Sequence, residues 1–187
     1  GKKSSKELDG VRICVQTKTT TELNIADYFN ENGMKYENVE FDTSKEVRQG
    51  YKQRKCDAYS TDISDLTSLR NEMGDPNAHI ILPEVISKEP LGPFVRQGDD
   101  KWADIVRWCL NAMIAAEEYG ITQANVDQIK KDSNNPEIKR FLGVEGTLGE
   151  KLGLPKDWSY QIIKQVGNYG ESFERNLGIN TPVGLER

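Results

Sequence analysis

The sequence predicts an α/β fold: a mostly parallel sheet covered by helices, followed by a C-terminal helical extension. Three observations predict it. Between residues 11 and 82, short runs rich in β-branched residues alternate with helical patterns, the mark of βαβ units. Prolines at 83, 90 and 93 then interrupt the alternation. From residue 101 onward, apolar residues recur only at helical spacing.

Each element has its own signal. Residues 1–10 are polar and lead into a first strand, 11–16 (VRICVQ), which alternates. Thr17, Thr19, Thr20 and Thr21 follow. Thr19 and Glu22 have capping-box spacing, so a helix starts there, with Leu23, Ala26 and Phe29 inward and Gly33 as its stop. Residues 36–41 (YENVEF) alternate as a second strand. Thr43 and Glu46 open a second helix over 43–53, in which Gly50 is a weak point. Residues 56–61 (CDAYST) form a third strand ended by Asp62. A third helix spans 63–73, with Ile63, Leu66 and Leu69 to Arg70 on its inner face, and 79–82 (HIIL) is a fourth strand.

The proline-containing stretch 83–100 reads as extended, strand-like connecting chain. A long helix covers 101–119, with Trp102, Ile105, Cys109 and Met113 among its periodic positions and Gly120 as its stop. That spacing marks Trp102 and Trp108 as core, and Trp158 likewise. Residues 122–131 form a shorter helix with Val126 and Ile129 inward. Residues 134–153 are loop-rich, with glycines at 143, 146, 149 and 153 around Phe141, Leu142 and Leu148. A last helix lies within 158–177, weakened by Gly167 and Gly170, and 179–187 is irregular.

The totals narrow the classes of function. A chain of 187 residues suffices for one sizeable domain, or one domain with an extension. Its hydrophobic fraction of 36% and mean hydropathy of -0.69 are on the polar side. A net charge of -5 speaks against a nucleic-acid partner. No apolar run approaches membrane-spanning length and no signal peptide is present; GKKSSKELDG reads as following any leader. Cys14, Cys56 and Cys109 lack zinc-site clustering, and the single histidine, His79, argues against a His-based site. Neither a cofactor nor a metal is expected.

The candidate site lies at strand ends. The first amides of a helix lack internal partners and carry the positive end of its dipole. The amides of Thr20 and Thr21, with a threonine hydroxyl, therefore suit a small carboxylate. In the alternative, the threonines only cap the helix and Glu22 occupies the free amides; these residues alone favour that alternative. Ligands of parallel sheets sit beyond the carboxyl ends of the strands. A 2-1-3 winding makes the first and third strands neighbours, so the threonine turn and Ser60-Thr61-Asp62 face one crevice. Amides on one side and a carboxylate on the other suit a zwitterion, its ammonium on Asp62. The alternative for Asp62 is a cap of the third helix, with Asp65 three residues on.

Five segments then carry a resemblance: VRICVQTKTTTELNIADYF, CDAYSTDISDL, ILPEVISKEPLGPFVRQGDD, FLGVEGTLGEKLGL and QIIKQVGNYGESFERNLG. In this order, and over nearly the whole chain, they resemble the periplasmic substrate-binding proteins of general L-amino-acid ABC transporters. That family has the type II periplasmic-binding fold, two α/β lobes closing on an amino acid. The resemblance implies that residues 1–88 are the three-layer second lobe, and that residues 89–187 are the return segment, around Glu89 to Val95, and the C-terminal helices. It implies further that the chain starts at the entry into lobe two and stops short of the family's usual end. The first-lobe half, with its carboxylate-binding arginine and aromatic shelf, then has no counterpart here.

Carried over by position, Thr19 and Thr20 match the residues that hold the ligand α-carboxylate, with Thr21 in the same turn. Asp62 matches the acidic residue that takes the α-ammonium group. Lys18 stands where the family has glycine; it either crowds the turn or adds positive charge near a carboxylate. The implied partners are an L-amino acid and the membrane subunits of an ABC permease, and the implied location is the periplasm. Cys14 and Cys56 lie on strands placed side by side, which permits a disulfide there; a buried thiol at Cys14 is the alternative, and Cys109 reads as helix core.

Three functions compete. The first is an L-amino-acid-binding component of a transporter, which needs complementary charges and a hinge but no catalysis. The second is a dehydratase-like enzyme on the same fold; His79 lies away from the crevice and no second carboxylate pairs with Asp62, which disfavours it. The third is an interaction protein whose exposed cleft face is buried by self-association into a homo-oligomer. A lone lobe supplies half of the contacts, so weak binding is expected of a monomer.

Overall fold

At the centre of a three-stranded parallel sheet lies β1 (Val11–Gln16), between β2 (Tyr36–Phe41) and β3 (Ala58–Tyr59). The coordinates are a computed structural model that describes residues 1–187. Two compact units make up the chain, one of residues 1–90 with 182–185 and one of residues 91–181 with 186–187.

In the first unit, α1 (Thr20–Glu31), α2 (Ser44–Lys52) and α3 (Ile63–Asn71) alternate with the strands. Because successive strand residues point to opposite faces, β1 divides its side chains between two cores. Val11 and Ile13, with Tyr36 and Ala58, pack against Ile25 and Phe29 of α1. Cys14, with Val39, Phe41 and Tyr59, packs against Val47 of α2. Helices on both faces make this unit three-layered. Residues two apart on β1 therefore serve different helices from their immediate neighbours, and β1 is buried on both sides.

The inner stripe of α1 differs from the expected one. Leu23 is 65% exposed, and burial follows the four-residue step from Ile25 to Phe29 instead. A helix advances 100° per residue, so Leu23, Ala26 and Phe29 drift off a single face, whereas residues four apart stay on it. On α3, Ile63 is likewise exposed while Thr67 and Leu69 are buried. The helix α2 runs unbroken through Gly50, whose missing Cβ leaves room for the Phe41 ring. Its start is a closed capping box, Thr43 with Glu46.

Cys14 and Cys56 form a disulfide across the second core, with Cα atoms 5.5 Å apart and a separation of 42 positions in sequence. The third strand is shorter than expected, two residues in place of six, although Asp57 N–H donates to the Arg12 carbonyl (2.8 Å) and Ser60 N–H to that of Cys14 (3.2 Å). The expected fourth strand at 79–82 does not form. A turn of 3-10 helix (Pro76–Ala78) precedes it, the His79 ring is taken up by Tyr51, and Pro83 removes a ladder donor. The stretch 83–97 has no regular structure, and Glu84 accepts from the amide (3.0 Å) of Ser5 and the hydroxyl of Ser4.

The second unit is helical: α4 (Asp100–Glu118), α5 (Val126–Asp132), α6 (Pro136–Phe141), α7 (Leu148–Lys151), α8 (Trp158–Val166) and α9 (Tyr169–Asn176). Its core is Ala116, Ile121, Val126, Leu142 and Ile163. The segment expected to be loop holds two short helices, α6 and α7; Pro136 sits in the first turn of α6, where its missing N–H costs nothing. The expected last helix is two. Gly167, at φ 79°, ends α8, and Asn168 opens α9 through a closed capping box with Glu171. Asn168 also donates from Nδ2 to the Ile121 carbonyl (2.9 Å), satisfying a buried polar pair. Trp102 and Trp108 are not core: they are 52% and 47% exposed, because α4 packs through its C-terminal half, at Ala112, Met113 and Ala116. No helix is long and apolar enough to cross a membrane.

Candidate functional site

Two turns leave the same edge of the sheet. The parallel register pairs Ile13 with Ala58 and Cys14 with Tyr59, so the carboxyl ends of β1 and β3 are neighbours, about 4.8 Å apart as adjacent strands are. The turn after β1 contains Thr19, Thr20 and Thr21, and the turn after β3 contains Ser60, Thr61 and Asp62. Adjacency thus follows from the 2-1-3 strand order.

The first turn is tied down from three sides. Thr17 N–H donates to the Phe41 carbonyl (2.9 Å) at the end of β2. Thr19 is the N-cap of α1: its hydroxyl donates to the Gln16 carbonyl (2.8 Å) and accepts from the Glu22 amide (3.3 Å). Glu22 does not close the box on Thr19. Its carboxylate takes the amide of Lys18 (2.7 Å) instead. Lys18 has φ 60°, the left-handed region, which turns its N–H toward the helix start and leaves its side chain exposed. The amides of Thr20 and Thr21, first in the helix, find no acceptor among the hydrogen bonds of this turn. They are the orphan donors that an anion needs.

The second turn is the N-terminus of α3. Asp62 occupies the N-cap position with extended backbone, yet its side chain caps nothing and is exposed. Asp65, three residues on, is engaged elsewhere. One carboxylate oxygen receives the Arg48 guanidinium and the other the Tyr59 hydroxyl, at 2.8 Å. Arg48 further donates to Glu72 (2.8 Å), which Lys52 also reaches at 3.3 Å. Burial first, and then the hydrogen bond to Asp65, pushes the Tyr59 phenol up to about 12, so it stays a donor. The Asp65 hydrogen bond in turn raises the Arg48 guanidinium.

The structure therefore brings all four expected site residues, Thr19, Thr20, Thr21 and Asp62, to one sheet edge, with Thr19 committed to its helix and the others open. A shallow depression of about 370 Å³ lies instead on the β2 side of β1, lined by Thr17, Glu40, Phe41, Asp42 and Glu46. Its three carboxylates would repel an α-carboxylate, so the β3 side is the better place for one. Sequence reasoning missed Arg48, Tyr59 and Glu72. The one signal available was Asp65, whose spacing from Asp62 invites a capping box that another partner has pre-empted. His79 shares a hydrogen bond of 2.8 Å with Tyr51, and no group of three or more His, Cys, Asp and Glu is placed to hold a metal ion.

Known proteins resemble this chain along all of it. The general L-amino acid-binding periplasmic protein AapJ of Rhizobium johnstonii is 57% identical over 187 residues, 99% of this chain and 54% of that protein. The glutamate/glutamine/aspartate/asparagine-binding protein BztA of Rhodobacter capsulatus is 51% identical, over 100% of this chain and 55% of that protein. Among solved structures, an ABC transporter periplasmic binding protein from Brucella ovis with glutathione bound superposes with a TM-score of 0.89 at 55% identity, covering 100% of this chain and 59% of that one. The chain thus spans about half the length of the relatives it matches. No protein-family model matches it.

Proposed function

This chain is homologous along its full length to part of the periplasmic binding proteins of amino-acid ABC transporters, and from that premise we propose that it binds L-amino acids as zwitterions in the periplasm for uptake through such a transporter. Residues 1–88 serve as the second lobe of the family's fold, and residues 89–187 as its return segment and C-terminal helices. The amides of Thr20 and Thr21 hold the ligand α-carboxylate, in a turn that Thr19 fixes through its bonds to Gln16 and Glu22; Asp62 takes the α-ammonium group. The observation that carries this reading is the exposed, uncommitted Asp62 carboxylate on the same sheet edge as the unpaired amides of Thr20 and Thr21. Lys18 adds positive charge beside that carboxylate without blocking the amides, because its side chain is exposed.

The names of the relatives fit recognition of a common head. AapJ binds L-amino acids generally, BztA binds glutamate, glutamine, aspartate and asparagine, and the Brucella ovis protein holds glutathione. The γ-glutamyl end of glutathione carries a free α-amino and α-carboxylate group, the same head. The reading requires no chemical step, so the protein is a carrier and not an enzyme, and its partner is the membrane permease. The contacts named here are one side of a clamp, so the affinity of this chain alone is weak. A second reading, self-association, is favoured by Leu91 and Phe94, which are 80% and 96% exposed.

Calorimetric titration with a panel of L-amino acids, with the mass determined by light scattering in the same buffer, tests both. Saturable binding that Asp62→Ala weakens about 10- to 100-fold is expected, the loss of one charge-assisted hydrogen bond. A folded monomer that binds none of the panel would overturn the proposal. A dimer without binding would favour self-association.

A further inference from the structure

Five α-helix starts in this chain place an acceptor side chain at the N-cap and an acidic residue three positions on: Thr19 with Glu22, Thr43 with Glu46, Asp62 with Asp65, Asn168 with Glu171 and, at the four-residue α7, Thr147 with Glu150. The second and fourth are closed boxes, and the first has its N-cap bond. At Asp62 and at Thr147 the N-cap side chain makes no bond to its helix. At Asp62 the partner acid is engaged elsewhere. Both oxygens of the Asp65 carboxylate are engaged, one by Arg48 from α2 and one by Tyr59 from β3, which together hold it toward those two elements. The Arg48 and Asp65 side chains are each 24% exposed, so solvent screens this pair only in part. Glu72, anchored at the far end of α3 by Arg48 and Lys52, fixes the same helix against α2 at a second point.

We infer that Arg48 is a positioning residue for ligand binding: by holding Asp65 against α2, it keeps the capping box at Asp62 open and leaves the Asp62 carboxylate free for the α-ammonium group. This rests on the proposed role of Asp62. Without Arg48, the Asp65 carboxylate loses its cation and swings back to the Asp62 amide, the geometry that the two closed boxes of this chain adopt. The Asp62 side chain then turns inward onto the first-turn amides of α3, as Thr43 and Asn168 do. Tyr59 alone holds the carboxylate less firmly, because it contributes one hydrogen bond and no charge.

The test compares L-glutamate with 2-hydroxyglutarate, which keeps both carboxylates and lacks the ammonium group. The quantity read is the ratio of their affinities for the full chain, alongside amide hydrogen exchange at Asp62 and Asp65. Arg48→Met is expected to lower the ratio about tenfold and to slow exchange at both amides, with Arg48→Lys restoring part of each. Asp62→Ala should bring the ratio near one. A ratio and an exchange pattern unchanged in Arg48→Met, in a variant whose circular dichroism is native, would overturn the role of Arg48 alone. Failure of Asp62→Ala to change the ratio, or of the unaltered chain to discriminate, would instead remove the reading of Asp62 on which it rests; slowed exchange in Arg48→Met would then still identify Arg48 as the group holding the box open, and unchanged exchange would overturn that as well.

Discussion

Lys18 holds a backbone conformation that L side chains with a Cβ adopt at a cost, φ 60°, at the point where the chain passes from β1 into α1. The cost of a left-handed residue is about 1–2 kcal/mol, offset here by the hydrogen bond from its amide to Glu22 at 2.7 Å. Lys18→Gly is therefore expected to raise stability by up to about 1 kcal/mol, and the β-branched Lys18→Val to lower it by about as much. Urea denaturation of both variants checks this through their midpoints. Nothing intrinsic to lysine announces the left-handed turn. The clue in the sequence was the family's glycine at that position, which marks a backbone requirement rather than a missing side chain. Thr19 was legible for the opposite reason: a hydroxyl before an apolar-periodic run, with an acid three residues on, has one common use. Asp62 had the same spacing, and what became of its partner depended on Arg48, 14 residues earlier in sequence but on a helix that packs alongside.

Elements with strong local chemistry appear where their residues put them. The strands β1 and β2 and the box-capped α2 are within a residue of expectation, because alternation and a Thr-x-x-Glu start are local signals. The misses are elements whose fate depends on partners. Residues 79–82 have strand composition but no ladder to join. The step of three at Leu23 and Ala26 looked like a helix face, and only the packed sheet selects Ile25 in their place beside the expected Phe29. At Gly50 the sequence suggested a weak helix, whereas the structure uses the absent side chain for contact: a Cβ there would collide with the Phe41 ring. Gly50→Ala, which helix propensity alone would favour, is expected to destabilise by about 1–3 kcal/mol through overpacking. Calorimetric melting should show a lowered Tm that Phe41→Leu in the same chain partly restores; a raised Tm would refute the close approach.

At the scale of the whole chain, the change of character at Pro83 was readable because proline and alternation are properties of composition, and so was the α/β class of the first unit. The return of residues 182–185 to that unit was not, since it rests on contacts far apart in sequence. The disulfide was open for a related reason: two cysteines on neighbouring strands permit a bond, and only the register brings them together. Closing a loop of 42 residues restricts the unfolded chain by about 4 kcal/mol in the entropic account. Reduction is expected to lower the urea stability of β1, measured by its amide exchange, by about 2–4 kcal/mol, and Cys14→Ala with Cys56→Ala to do the same without a reductant. Equal stability of the reduced and oxidised chains would contradict this.

The same bond has a topological side. From Cys14 to Cys56 the backbone and the disulfide form a closed ring, and α1, β2 and α2 all lie within it. A protease that cuts once anywhere in that ring opens the circle without releasing a fragment. The nicked chain keeps its full mass until a reductant is added, when it falls into two pieces. Between those residues, integrity on a non-reducing gel is no record of an uncut backbone.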